Sequence, residues 1–153
     1  MNIYFIIIIG IIVFNYVLSF IVRTLNLRAL DPKLPQEFLE FYDQEKYLKS
    51  QKYTKTNSKF SYITSTFSLI ITLVFILGGL YNTFDLYARS LGYGEIITGI
   101  LFFALLSIIT DLLSMPFSLY STFVIEERYG FNKTTLKTFF LDKFKQYILM
   151  MII

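Results

Sequence analysis

The chain has 153 residues, about one domain's worth by length, yet 55% are hydrophobic, 19% aromatic and only 16% charged, against about 25% charged in an ordinary soluble domain. With no histidine and no cysteine, these residues build no Cys or His zinc site, thiolate nucleophile, Ser-His-Asp relay or disulfide. The formal charge of +3 comes from basic residues scattered between long uncharged runs, which fits membrane-surface electrostatics and argues against nucleic acid as a partner.

Residues 1–22 carry no charge. A hydrocarbon core about 30 Å thick is crossed by roughly 20 helical residues, so a first span is predicted over about 3–22, with Asn15 and Ser19 among its polar positions. No Lys or Arg precedes Arg23 and no A-x-A-like site follows, so the segment reads as a retained anchor and not as a cleaved secretory signal.

The first connection opens with Asp31-Pro32-Lys33-Leu34-Pro35, and Pro35 suits the first turn of a helix. Phe38, Phe41, Tyr42 and Leu48 recur at near-helical spacing, while Lys46, Lys49, Lys52, Lys55 and Lys59 recur every three or four residues. The pattern predicts an interfacial or docking helix with a basic side, held by anionic lipid; steering of a substrate is the alternative.

A second span is predicted over about 61–84. Ser61, Ser65, Ser68 and Thr72 share one face of it, and small hydroxyl residues in spans mark close helix packing. The third, about 96–125, is interrupted only by Asp111. A carboxylate near mid-membrane costs at least roughly 2.5 to 3.5 kcal/mol and faces a bundle interior or water. Ser107, Asp111, Ser114 and Ser118 fall on one face and are the candidate chamber-facing residues. Two readings of Asp111 stand: a hydrated polar interior, or a protonated carboxyl bonded among packed helices. Pro116 should kink this helix and free a carbonyl for a polar neighbour.

Glu126-Glu127-Arg128-Tyr129-Gly130 reads as the end of the third helix, with Gly130 left-handed. Asn132 is expected to cap a new amphipathic helix carrying Leu136, Phe139, Phe140, Phe144 and Tyr147. A fourth span starts at about 146, but Gln146 to Ile153 is only eight residues, or about 12 Å of helix. The sequence is therefore expected to be the front of a longer protein. Lys and Arg number 0, 8, 1 and 5 in the N-terminal flank and the three connections; this alternation places the N-terminus outside and the long connections in the cytoplasm. Tyr62, Tyr81, Tyr93, Tyr120 and Tyr147 lie near the predicted span ends, where an aromatic belt belongs. The fold class is all-α: a polytopic transmembrane helical bundle of three complete spans plus the start of a fourth, with amphipathic cytoplasmic connecting helices.

The run Phe123-Val124-Ile125-Glu126-Glu127-Arg128-Tyr129-Gly130-Phe131-Asn132-Lys133-Thr134, followed by Asp142, resembles the segment before the fourth span in the CAAX prenyl endopeptidase family of multi-pass zinc metalloproteases. Gln44-Glu45-Lys46-Tyr47, with Lys49-Ser50 and Tyr53, resembles that family more weakly. The resemblance covers nearly the whole chain and matches the family's N-terminal membrane domain. It implies a seven-span enclosure around an intramembrane chamber, with zinc held near the cytoplasmic end by H-E-x-x-H and a later Glu. That equipment is absent from these 153 residues, so no catalytic or metal residue carries over, and zinc is expected in a part following Ile153. The resemblance makes Glu126, Glu127, Arg128, Gly130, Asn132 and Lys133 a candidate docking loop for that part; read from the residues alone, a charged collar where a helix leaves lipid is the favoured account.

The favoured function is therefore the chamber-forming front of a zinc metalloendopeptidase acting on prenylated or other membrane proteins. Its expected partners are the lipid bilayer, the missing C-terminal catalytic part and a protein or peptide substrate. A non-catalytic membrane scaffold or transporter fragment is the alternative. The Ile, Phe, Lys and Asn-rich composition favours a bacterial inner membrane over the endoplasmic reticulum.

Overall fold

The computed structural model describes residues 2–38, 40–41 and 43–152, and the regular structure among them is all helical. The chain divides into two compact units, Met1–Tyr81 and Asn82–Ile153.

In the first unit, α1 runs Ile3–Arg28, with the Asn2 side chain accepting the Tyr4 N–H at 3.1 Å as its N-cap. It continues past the predicted end at Val22, because Thr24 finds a partner on the neighbouring helix and Arg28 sits in the last turn, where a cation complements the helix dipole.

The first connection departs from expectation. Pro35 starts only a short 3-10 turn, Gln36–Phe38. The next helix, α2, begins at Gln44 and runs unbroken to Leu77. Asp43 sets this start by accepting the Glu45 and Lys46 N–H groups at 2.8 and 3.3 Å. Phe38 and Phe41 are therefore not on one helix with Leu48, and among the described residues no separate amphipathic helix forms there. The basic stretch Lys46–Lys59 is instead the N-terminal part of the second spanning helix. Tyr42, expected on that face, lies outside the described residues.

The second span ends at Leu77, not near residue 84, because Gly79 is left-handed with φ +69° and α3, Leu80–Ser90, starts anew. Side-chain hydroxyls stitch α1 to α2: Tyr16 to Thr66 at 2.7 Å and Thr24 to Tyr62 at 2.8 Å. The Phe20 and Tyr62 rings pack at 4.8 Å between them. Lipid supplies no hydrophobic drive between helices, so such polar pairs and close packing hold them.

In the second unit, α4 runs Glu95–Tyr129. Its turn Ser121–Glu126 is π-helical, around a fully buried Ile125. Pro116 lies inside the helix, and the Ser114 hydroxyl donates to the Asp111 carbonyl at 3.0 Å, not to the Leu112 carbonyl that the proline leaves without its usual donor. The helix closes in a complete Schellman arrangement. Gly130 has φ +71°, its N–H bonds to the Glu127 carbonyl at 3.0 Å, and the Phe131 N–H bonds to the Glu126 carbonyl at 2.9 Å. The last helix, α5, is Leu136–Ile152. Thr135, not Asn132, caps it, its hydroxyl accepting the Thr138 N–H at 3.2 Å.

Helices Ile3–Arg28, Gln44–Leu77 and Glu95–Tyr129 are each long and apolar enough to cross a membrane. Only 0%, 6% and 6% of their apolar windows is buried within the chain, so almost all of that surface faces lipid or other helices. This is a multi-pass integral membrane architecture.

Candidate functional site

The most concentrated chemistry lies in the second unit, on α4 and α5. Asp111 accepts a hydrogen bond and ion pair from Lys143 through Oδ1, and Tyr147 donates to its Oδ2 at 2.5 Å. Lys143 and Tyr147 are four residues apart on α5 and so share a face. The Lys143 and Asp111 side chains retain 19% and 21% of their surface, which makes the pair partly enclosed but reachable. Within apolar surroundings, each charge offsets the solvation lost by the other.

The remaining stripe residues behave differently. The Ser114 and Ser118 hydroxyls turn back onto their own helix, to the Asp111 and Ser114 carbonyls at 3.0 and 3.4 Å. Ser107 lines an apolar cavity of about 430 Å³ with Ile96, Gly99, Ile100, Phe103, Ala104 and Met150. A second, more polar cavity of about 270 Å³ is lined by Thr122, Glu126, Thr134, Phe139, Asp142, Lys143 and Gln146. Lys143 of the Asp111–Lys143 bridge is thus part of the lining of this second cavity.

Lys143 is the partner of Asp111 that the sequence reading missed, since it counted only as one of five basic residues in a connection. The signal was its spacing. Lys143 and Tyr147 put a cation and a phenol on one face of the helix that follows the span carrying a lone carboxylate.

At the candidate docking loop, Asn132 ties the chain end of α4 to the segment leading into α5. Its Nδ2 donates to Glu127 Oε2 at 2.9 Å and its Oδ1 accepts the Thr134 N–H at 2.7 Å. Glu126 faces the polar cavity, while Glu127, Arg128 and Lys133 are exposed and Gly130 supplies the left-handed turn. Near the other end of α4, Asp85 pairs with Arg89 at 2.8 Å, and its hydrogen bond and charge raise the guanidinium pKa.

A model of the family described as CAAX prenyl protease N-terminal, with five membrane helices, matches residues 23–153. The chain belongs to that family. It is 40% identical over 130 residues to the probable CAAX prenyl protease 1 of Schizosaccharomyces pombe, a match covering 76% of this chain and 27% of that protein. Against the CAAX prenyl protease 1 homolog of Homo sapiens it is 34% identical, covering 75% of this chain and 26% of the other. The crystal structure of S. mikatae Ste24p is similar with a TM-score of 0.87 and 28% identity, over 97% of this chain and 36% of that one. The chain thus spans about a quarter to a third of the lengths of these relatives. Of the family's five membrane helices, the described residues supply three long apolar ones, and α5 follows them.

The metal that the family resemblance implies does not fit these residues. The chain has no histidine or cysteine, and among the described residues no three Asp or Glu side chains gather where an ion would be held.

Proposed function

We propose that this chain is the membrane-embedded front of a zinc metalloendopeptidase, forming part of the wall of an intramembrane chamber in which prenylated or other membrane proteins are cut. The match of residues 23–153 to the CAAX prenyl protease N-terminal family carries this reading. The metal and the water-activating group belong to a part of the protein other than these residues. What this chain contributes is enclosure and position.

In this reading Asp111 and Lys143 face the chamber with Ser107 nearby, and their residual exposure supports contact with water. The Glu126–Lys133 loop docks the catalytic part. Its hydrogen-bonded Schellman turn and the Glu127–Asn132 bond support a shaped contact surface more than a loose collar. The N-terminus lies outside and the long connections in the cytoplasm, as the 0, 8, 1, 5 distribution of basic residues supports. The yeast and human relatives weigh toward the endoplasmic reticulum over a bacterial inner membrane.

The test uses the intact protein in proteoliposomes with a farnesylated CaaX peptide. Cleavage that a metal chelator abolishes and added zinc restores is the expected result; an intact, folded protein that leaves the peptide uncut would refute the proposal. Labelling of an Asp111→Cys variant by an aqueous thiol reagent tests hydration separately, and a position that never reacts has no chamber water.

A further inference from the structure

Arg23 is the first charged residue after the charge-free run of residues 1–22 on α1, and the first unit holds it in one pose. Its Nη1 donates to Ser65 Oγ at 3.3 Å. The Ser65 hydroxyl proton is already directed to the Ser61 carbonyl at 2.6 Å, so Ser65 serves the guanidinium purely as acceptor. The Tyr62 ring lies 5.5 Å from Arg23 Cζ, and Tyr62 is itself fixed by the Thr24 hydroxyl and the Phe20 ring. These contacts orient the guanidinium without neutralising it. Among the described residues no carboxylate pairs with Arg23. A guanidinium has five N–H donors, and one hydroxyl leaves most of them available.

The surroundings define the missing partner. Phe20, Val22 and Leu25 on α1 and Ile63 on α2 keep 45%, 47%, 57% and 60% of their surface exposed. A half-buried charge is therefore bordered by apolar surface on both helices. Lys59 ends the charged part of α2 six positions before Ser65, about 9 Å along the helix, so Arg23 meets α2 within its charge-free stretch. A ligand for such a place carries an anionic oxygen group and a long apolar body.

We propose that Arg23, set by Ser65 and Tyr62, is a binding site for the phosphate of an anionic glycerophospholipid whose acyl chains lie along the exposed faces of α1 and α2. The site fixes one lipid at the α1–α2 seam, which distinguishes it from diffuse attraction of the Lys46–Lys59 stretch to a charged surface. It is independent of the protease reading.

The experiment is native mass spectrometry of the intact protein, released from nanodiscs of phosphatidylcholine with phosphatidylglycerol. The wild type is expected to retain one phosphatidylglycerol in about tenfold preference to phosphatidylcholine, as a charge-assisted phosphate contact requires. Arg23→Gln removes the preference. Arg23→Lys keeps the charge but loses the planar fork and the ring contact, and retains an intermediate preference. Ser65→Ala lowers it several-fold with the charge untouched, so the proposal remains testable if Arg23→Gln fails to fold. Arg28→Gln, at the exposed end of α1, changes nothing. Equal retention of the two lipids by the wild type, or unchanged preference in both Arg23→Lys and Ser65→Ala, overturns the proposal. Displacement of the lipid by millimolar inorganic phosphate overturns the lipid as occupant, and an equal loss of thermal stability by Arg23→Gln with and without phosphatidylglycerol points instead to a protein carboxylate.

Discussion

The carboxylate of Asp111 on α4 and the ammonium of Lys143 on α5 are 32 positions apart in the sequence and joined in the structure. The pair holds together the two helices that flank the Glu126–Lys133 loop. Because both groups are only about one-fifth exposed, removing either leaves the other partly desolvated and without its counter-charge.

A double-mutant cycle measures this coupling. Asp111→Asn and Lys143→Met are each expected to destabilise the intact protein in detergent by ~1–3 kcal/mol, and the double variant by less than their sum. Thermal melting followed by tryptic protection of the α4–α5 segment reads both effects. Strict additivity would show that the two residues act independently.

The hydroxyl pairs between α1 and α2 should contribute modestly. Tyr16→Phe and Thr66→Val each remove the same 2.7 Å bond, so each is expected to cost about 0.5–1 kcal/mol, in the range measured for interhelical hydrogen bonds in membranes. The double variant should cost no more than the worse single one. Detergent unfolding by sodium dodecyl sulfate titration gives the values.

Gly130 adopts φ +71° to close the Schellman turn. Gly130→Ala is expected to cost about 1 kcal/mol, because a side chain is strained in that conformation, and Gly130→Val more. Asn132→Ala breaks the bonds to Glu127 and Thr134 and should cost ~1 kcal/mol more than Glu127→Gln, which keeps an oxygen acceptor for the amide. If the docking proposal holds, Asn132→Ala also lowers cleavage of a prenylated peptide by the intact enzyme; a variant that melts earlier yet cuts at the full rate would leave the loop a structural turn.

Asp43 caps the basic part of α2 with two N–H bonds. Asp43→Ala is expected to cost about 1 kcal/mol locally and to speed hydrogen exchange at Glu45, Lys46 and Tyr47, with little effect beyond Lys59. Exchange unchanged over that first turn would mean that tertiary contacts, not the cap, set where α2 begins.

The membrane character and the approximate positions of the long helices were legible from the charge-free runs, because lipid demands an uninterrupted apolar helix and that demand is written into consecutive residues. Gly130 was legible for a similar reason, since a left-handed position selects glycine wherever it occurs. The end of α2 at Leu77 was harder to see, as Leu80–Phe84 stays uncharged past the Gly78-Gly79 break and only backbone geometry separates the two helices. The first connection misled because its aromatic spacing mimics a helix that Asp43 begins too late to include.

The motif Glu126–Thr134 points to the family by itself, since recognition of a motif needs only the order of residues. The partners of Asp111 and Arg23 were beyond such reading. Hydropathy and local spacing describe each helix by itself, whereas Lys143 and Ser65 reach their partners across separations of 32 and 42 positions. Which face meets which neighbour, and therefore which charge is neutralised and which is left open, is set by packing between helices.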